Sequence, residues 1–274
     1  MGVFTHLFRL PRQRRETGVS IKRLLWKRSF HSKIHRNREK KGERPVPAIY
    51  CRYADVRFLS DPVLLERGLA ALFWPERREK ALRCRNAEAR LLCVAAGLMA
   101  QEALLACGAS DLTLLADAQG KPRLQSGELF FNLSHSGRYA ACAAGDAEVG
   151  VDVECETDAR PSLLKRVFRE EELAWLNRQA EPGPAFRRLW TRKESYLKYL
   201  GTGLAKPMRD FCVLDGQEPR GVRFAELSLP EAALCVCVPS GTAVRFEAWR
   251  PQILQQQEDE TCTLPDTADA ISLS

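Results

Sequence analysis

Three short runs and one turn collect side chains whose types could do chemistry. Gly150-Val151-Asp152-Val153-Glu154 alternates apolar and acidic residues. On a strand, successive side chains face opposite ways, so Asp152 and Glu154 project to one side and Val151 and Val153 to the other. Two carboxylates side by side repel each other unless a cation or proton lies between them; the other reading is a half-exposed strand with its acids in water. Trp190-Thr-Arg-Lys-Glu-Ser-Tyr-Leu-Lys198 sets Trp190, Glu194 and Lys198 four apart, on one face of a helix. That is also the spacing of an ordinary surface Glu–Lys pair, but Leu189, Trp190, Tyr196 and Leu197 make the surroundings apolar. A glutamate there needs a cation or a shifted pKa. Phe130–Gly137 ends an apolar strand in Asn132, Ser134, His135 and Ser136, which reads either as a hairpin turn or as a cradle for phosphate oxygens. Gly120-Lys121-Pro122-Arg123 is a turn carrying two cations, and no G-x-x-x-x-G-K-[ST] phosphate loop is present.

Together the pieces are more specific than any one of them. Asp152, Glu154 and Glu194 suit a hard divalent cation. Mg²⁺ takes oxygen ligands, keeps some of its water and bridges substrate phosphates. The expected ligand is a polyphosphate bearing Mg²⁺, surrounded by lysines, His135 and the Ser/Asn run.

The elements that must position these residues follow from hydrophobic pattern and turn chemistry. Tyr50–Leu59 reads as a strand, and Asp61-Pro62 starts a helix running to Leu72 with proline in its first turn. Pro75–Gly108 carries the strongest helical period. Leu112–Leu115, Glu128–Asn132, Tyr139–Ala144 and Val149–Glu154 are strand-like runs parted by Gly and Asp. Ser162–Ala180 and Ala185–Leu200 read as helices parted by Glu181-Pro-Gly-Pro184, the second stopping at Gly201. Phe211–Leu214, Val222–Leu227, Ala233–Val238 and Ala243–Trp249 read as strands of one antiparallel sheet. Each half runs from helices into strands, which predicts an α+β protein of two similar units.

Charge is unevenly distributed over the 274 residues. The net charge is +7, yet residues 1–45 hold 14 Lys and Arg against 3 acids, and residues 251–274 hold 5 acids and no Lys or Arg. The body between them is close to neutral. We expect a basic N-terminal arm over 1–45 and an acidic, polar tail over 251–274, both disordered for want of a core, with lobes over 46–147 and 148–250. The ten cysteines contain no C-x-x-C pair, and three of the four histidines lie in the arm, so zinc spacing is not met. Scattered thiols fit a reducing cytoplasm. The longest stretch without a charge is 13 residues, Ala232–Val244, short of the roughly 18 that a membrane span needs.

In order along the chain, G-K-P (120–122), F-N-L-S-H-S (131–136), G-V-D-V-E (150–154) and W-x-x-K-E-S-x-x-K (190–198) resemble the successive motifs of the 4′-phosphopantetheinyl transferases. The order is that of the two-lobed type that activates surfactin and enterobactin synthetases. P-E-R-R-E-K (75–80), E-A-R-L-L (88–92) and Lys165-Arg-Val-Phe-Arg-Glu-Glu-Glu-Leu173 add to the resemblance, which covers about residues 48–250. It implies a pseudo-twofold pair of α+β lobes with coenzyme A in the cleft between them. It further implies Asp152, Glu154 and Glu194 as metal ligands, Glu194 also as general base, and Lys198 against phosphate. Gly120, Lys121, Pro122, Asn132, Ser134 and His135 would contact coenzyme A, with Arg77, Lys80 and Arg90 from the first helix region. The partner would be an apo-acyl or peptidyl carrier protein, met by a monomer. A carrier dock is expected on a helix from Ser162, where Lys165 and Arg169 share a face beside Leu164, Val167 and Phe168. Two other functions fit fewer of these residues: nucleic-acid binding through the basic arm, and Mg²⁺-dependent phosphohydrolysis by the three acids.

Overall fold

The computed structural model describes residues 47–117, 119–155 and 160–251. The basic arm and the acidic tail of the sequence reading lie outside these residues. Strand β1 (Ala48–Asp55) ends in a 3-10 turn over Val56–Ser60, so the expected strand to Leu59 is shorter, because Asp55 caps that turn through the Arg57 N–H. Helix α1 (Pro62–Ala71) is capped by Asp61, whose carboxylate accepts from the Val63 and Leu64 N–H groups. The helical run from Pro75 is two helices, α2 (Pro75–Arg83) and α3 (Ala87–Ala106). The break falls where Asn86 accepts from the Ala89 N–H, an N-cap that starts a new helix.

A short ribbon follows, β2 (Leu114–Ala116) with β3 (Pro122–Leu124), then β4 (Phe130–Ser136), β5 (Tyr139–Gly145) and β6 (Gly150–Glu154). Strand β3 takes up part of the expected turn at Gly120–Arg123, and β4 runs on through Ser136 rather than stopping at Asn132. The expected helix over 162–180 is also two, α4 (Pro161–Val167) and α5 (Glu170–Leu176), parted where Glu172 accepts from the Arg169 N–H. Helix α6 (Pro182–Leu200) stops at Gly201, which is left-handed at φ 72°. The expected strand over 211–214 is irregular; β7 (Val222–Leu229), β8 (Ala232–Pro239) and β9 (Ala243–Ala248) complete the chain.

The larger strands form a sheet in the order β4-β5-β1-β9 and a second in the order β6-β8-β7. β9 therefore leaves the antiparallel set expected for it and runs parallel to β1, opposite Ala48–Tyr53. Trp249, just beyond β9, is buried in the first core and donates to Glu102 from its indole nitrogen. Helix α3 covers the first sheet. It is long and apolar enough to cross a membrane by length and composition, but most of it is buried in this core. Helix α6 covers the second sheet with its own aromatic cluster around Phe168, Phe186 and Phe211. Between the sheets lies a third apolar layer that includes Ile49, Val151, Val153 and Val236.

Candidate active site at the junction of β4, β6 and α6

The two sheets meet along β4 and β6 through side chains instead of backbone pairs. Asn132, Ser134 and Ser136 alternate along β4 and face β6. They accept from the Val151, Val153 and Cys155 N–H groups at 2.9, 3.2 and 3.1 Å. Those N–H groups lie on the edge of β6 that β8 does not cover, and a buried donor without a partner is costly. The run read as a strand-end cradle is thus a ladder, and its signal was the period of two in its polar residues.

On the other side, β6 lies against α6 with almost no gap. A Cβ at Gly150 would stand 2.0 Å from the Ser195 carbonyl oxygen and 2.3 Å from the Tyr199 nitrogen. Only glycine allows this approach. It brings Asp152, at the next position on that side, under the helical face that carries Glu194 and Lys198. Val151 and Val153 point away into the apolar layer, as strand alternation predicts.

Lys198 Nζ donates to Asp152 Oδ1 at 2.7 Å and to Ser134 Oγ at 2.9 Å, and Ser134 Oγ donates to the same Asp152 oxygen at 2.9 Å. Asp152 Oδ2 and both carboxylate oxygens of Glu194 are buried with no hydrogen-bond partner. Glu194 is 1% exposed and Asp152 5%. Burial raises both carboxyls: Lys198 and Ser134 oppose it at Asp152, while the Asp152 and Glu154 charges add to it at Glu194. Glu154 lies one step along the strand, where its Oε1 accepts from Ser136 Oγ at 2.5 Å and from the Cys155 N–H at 2.9 Å.

Among the described residues, no three His, Cys, Asp or Glu side chains form a ready metal cage. Mg²⁺ does not need one, since it is commonly held by one or two carboxylates plus substrate phosphates and water. Three buried carboxylate oxygens without partners fit such an ion.

Positive charge gathers beside the acids. His135 shares a side of β4 with Phe131 and Leu133 by alternation, and its imidazole is pushed down to about 4 by burial and by Lys198, Arg77 and Lys80. Arg77 is buried on α2, with its Nε donating to the Cys93 carbonyl at 3.0 Å. It fits there because α3 has glycine at position 97, where a Cβ would stand 2.8 Å from its Cδ and Nε. Burial does most to keep this histidine neutral, and the three cations that add to it make a setting for phosphate. Arg90 instead donates to the Cys84 carbonyl at 2.9 Å, bridging the α2–α3 break.

The Gly120–Pro122 turn is not drawn into this group. Gly120 is exposed at φ 87°, Pro122 begins β3, and the Lys121 ammonium lies on Glu148 at 2.5 Å and on the Val149 and Lys198 carbonyls at 3.0 and 2.8 Å. Past Glu154, a cavity of about 550 Å³ is lined by Gly137, Arg138, Tyr139, Cys155, Arg187 and neighbouring residues.

Sequence reasoning assigned no role to Lys193 and Glu172, which form an ion pair at 2.8 Å with neither side chain exposed. Lys193 also donates to the Met208 and Phe211 carbonyls, and Glu172 accepts from the Val213 N–H. The pair sets the roll of α6 against α5. Its only sequence signal is that Lys193 lies in the run 190–198 and Glu172 in the run 165–173. The expected carrier dock changes as well. Val167 and Phe168 are core residues, α4 ends at Val167, and Arg169 pairs with Glu171. Lys165 and Arg166 remain exposed beside partly buried Leu163 and Leu164.

Comparison with known proteins bears on this arrangement directly. A family profile described as the 4′-phosphopantetheinyl transferase superfamily matches residues 148–238, which contain β6 and α6. The chain is 34% identical over 156 residues to the 4′-phosphopantetheinyl transferase gsp of Aneurinibacillus migulanus, covering 53% of this chain and 64% of that protein. It is 30% identical over 152 residues to the 4′-phosphopantetheinyl transferase Sfp of Bacillus subtilis, covering 52% of this chain and 68% of Sfp. With AcpT of Salmonella typhimurium, also named a 4′-phosphopantetheinyl transferase, it shares 35% identity over 128 residues, covering 44% of this chain and 65% of AcpT. The chain spans about two thirds of the length of these curated relatives. A relative matched at this identity over this share of its length, and a superfamily profile centred on the strand of Asp152 and the helix of Glu194, establish that the chain belongs to the 4′-phosphopantetheinyl transferase family.

Proposed function

We propose that this protein transfers the 4′-phosphopantetheine arm of coenzyme A to a serine of an apo-acyl or peptidyl carrier protein, releasing 3′,5′-ADP. The observation that carries the reading is the pair of buried carboxylates, Asp152 and Glu194, with three unpartnered oxygens beside Lys198. Such a pair is unfavourable by itself and becomes favourable once a cation and phosphates complete it. Asp152 and Glu194, with Glu154 next along the strand, would hold Mg²⁺. When bound, that ion neutralises charge on phosphate oxygens.

In the reaction, the serine hydroxyl oxygen bonds to the β-phosphorus of coenzyme A, and the bond from that phosphorus to the bridging oxygen breaks. The 3′,5′-ADP keeps that oxygen. Glu194 accepts the serine proton; its raised pKa suits a group that must take a proton near neutral pH. Lys198 balances charge on the phosphoryl oxygens, while Arg77, Lys80 and neutral His135 line the side expected to receive the remaining phosphate. In this reading the two units, a sheet under α3 and a sheet under α6, are pseudo-twofold lobes with the substrate cleft between them. The enzyme works as a monomer in the cytoplasm.

The test is to mix the protein with coenzyme A, Mg²⁺ and a panel of apo-carrier proteins, and to look by mass spectrometry for the added arm on the carrier serine. Modified carrier, lost on omission of Mg²⁺ or coenzyme A, is the expected result. No modified carrier across a broad panel, from folded protein that binds coenzyme A, would overturn it.

A further inference from the structure

The Gly-Lys-Pro turn is the motif that the site as described leaves without a task. The Lys121 side chain is buried, and its ammonium has four partners: Glu148 Oε1 and the carbonyl oxygens of Val149, Lys198 and Tyr199 at 2.5, 3.0, 2.8 and 3.5 Å. Two of those carbonyls belong to the last turn of α6, beyond the reach of the regular i+4 helical donors, and the one at Lys198 otherwise accepts only a long capping bond from the Gly201 N–H at 3.3 Å. A third belongs to the residue just before β6. Glu148 is held in turn by Arg123 at 2.7 Å, and Arg123 by Asp117 at 3.3 Å. Asp117 accepts from the Lys121 N–H at 2.8 Å, which closes the turn on itself. One ammonium thus ties the end of the helix bearing Glu194 and Lys198 to the start of the strand bearing Asp152.

We propose that Lys121 is a positioning residue: it clamps the C-terminal turn of α6 to the start of β6, and so sets Lys198 and Glu194 over Asp152 without touching phosphate itself. The proposal rests on the transferase reading for its catalytic consequence, but the clamp can be tested without it. A cation at a helix C-terminus also complements the helix dipole, so removing it loosens that end first.

Hydrogen exchange over residues 195–201 reads the clamp. Lys121→Met should speed exchange there, and unchanged exchange would overturn the clamp. Transfer kinetics and coenzyme A titration read its consequence. Lys121→Met should lower kcat by about ten- to a hundredfold, the usual effect of a misplacement near 1 Å, and leave the dissociation constant for coenzyme A where it was. Lys121→Arg, which keeps the charge and donors, should recover part of kcat. A coenzyme A dissociation constant that rises as far as kcat/KM falls, with kcat kept, would make Lys121 a phosphate ligand and overturn the proposal. If Lys121→Met does not fold, Glu148→Gln should show the same changes to a smaller degree, and their absence there would count against the clamp equally. Wild-type protein that modifies no carrier fails the transferase reading instead, and exchange then decides the clamp.

Discussion

Lys198 and Asp152 are joined at 2.7 Å between the last turns of α6 and the middle of β6, and this contact takes only one of the two Asp152 oxygens. The other oxygen and the whole Glu194 carboxylate are buried without partners. The site therefore holds more carboxylate oxygens than its own lysine and serine satisfy, and a cation can take up those left over.

Replacing Glu194 should separate stability from activity. Burial and the Asp152 charge both disfavour an ionised Glu194, and an uncompensated buried charge costs more than a neutral amide of the same shape. Glu194→Gln should raise the melting temperature in metal-free buffer and abolish carrier modification. Asp152→Ala should abolish modification too, but without that gain, since it strands Lys198. A lower melting temperature for Glu194→Gln would show that the carboxylate is already satisfied.

Cation binding should depend on pH. Only ionised carboxylates hold Mg²⁺, and burial raises both Asp152 and Glu194. Affinity for Mg²⁺ should fall as pH falls, and calorimetry in buffers of different ionisation enthalpy should detect protons released on binding. A carboxyl raised in the folded state stabilises the fold below its unfolded pKa, and that stability is lost as pH rises through the folded value. Metal-free protein should lose stability on that rise, and Mg²⁺ should restore it. Melting curves that respond to neither pH nor Mg²⁺ would count against the site.

Gly150 should tolerate no side chain. Gly150→Ala would place a Cβ against the backbone of α6, which cannot swing aside as a side chain can. Overpacking of this kind costs about 1–3 kcal/mol. Denaturant unfolding should report it, together with a loss of transfer, because the displaced helix carries Glu194 and Lys198. Wild-type stability would mean that β6 and α6 are less closely packed.

The Lys193–Glu172 pair should be sensitive to removal of one partner only. Lys193→Met leaves a buried carboxylate, a change that costs about 3–5 kcal/mol, whereas replacing both partners by apolar residues of similar volume is often close to neutral. The comparison is Lys193→Met against the Lys193→Met, Glu172→Leu double variant by denaturant unfolding. Equal losses would mean that the ion pair itself stabilises the fold.

Carrier recognition, under the transferase reading, should depend on α4. Lys165 and Arg166 are exposed on it, and charges of this kind steer encounter more than they hold a complex. Reversing both to Glu should raise KM for the carrier at low salt, leave coenzyme A affinity alone, and matter less as salt screens the charges. Unaltered carrier kinetics at low salt would put the dock on another face.

By itself the sequence determined what one element's own geometry decides. Alternation along Gly150–Glu154 sends Val151 and Val153 one way and Asp152 and Glu154 the other, and a spacing of four puts Glu194 and Lys198 on one helical face. The cap at Asp61 and the stop at Gly201 are local in the same sense, each depending on a few bonded neighbours. Tertiary structure decided which elements face each other. It seated β6 on α6 at Gly150, turned Asn132, Ser134 and Ser136 to the open N–H groups of β6, sent Lys121 to Glu148, and carried β9 across to β1. A period of two names the buried face of a strand but not the strand beside it. The partner of a buried lysine is set by whichever carboxylates and carbonyls packing brings within reach, and those come from residues far away in the chain.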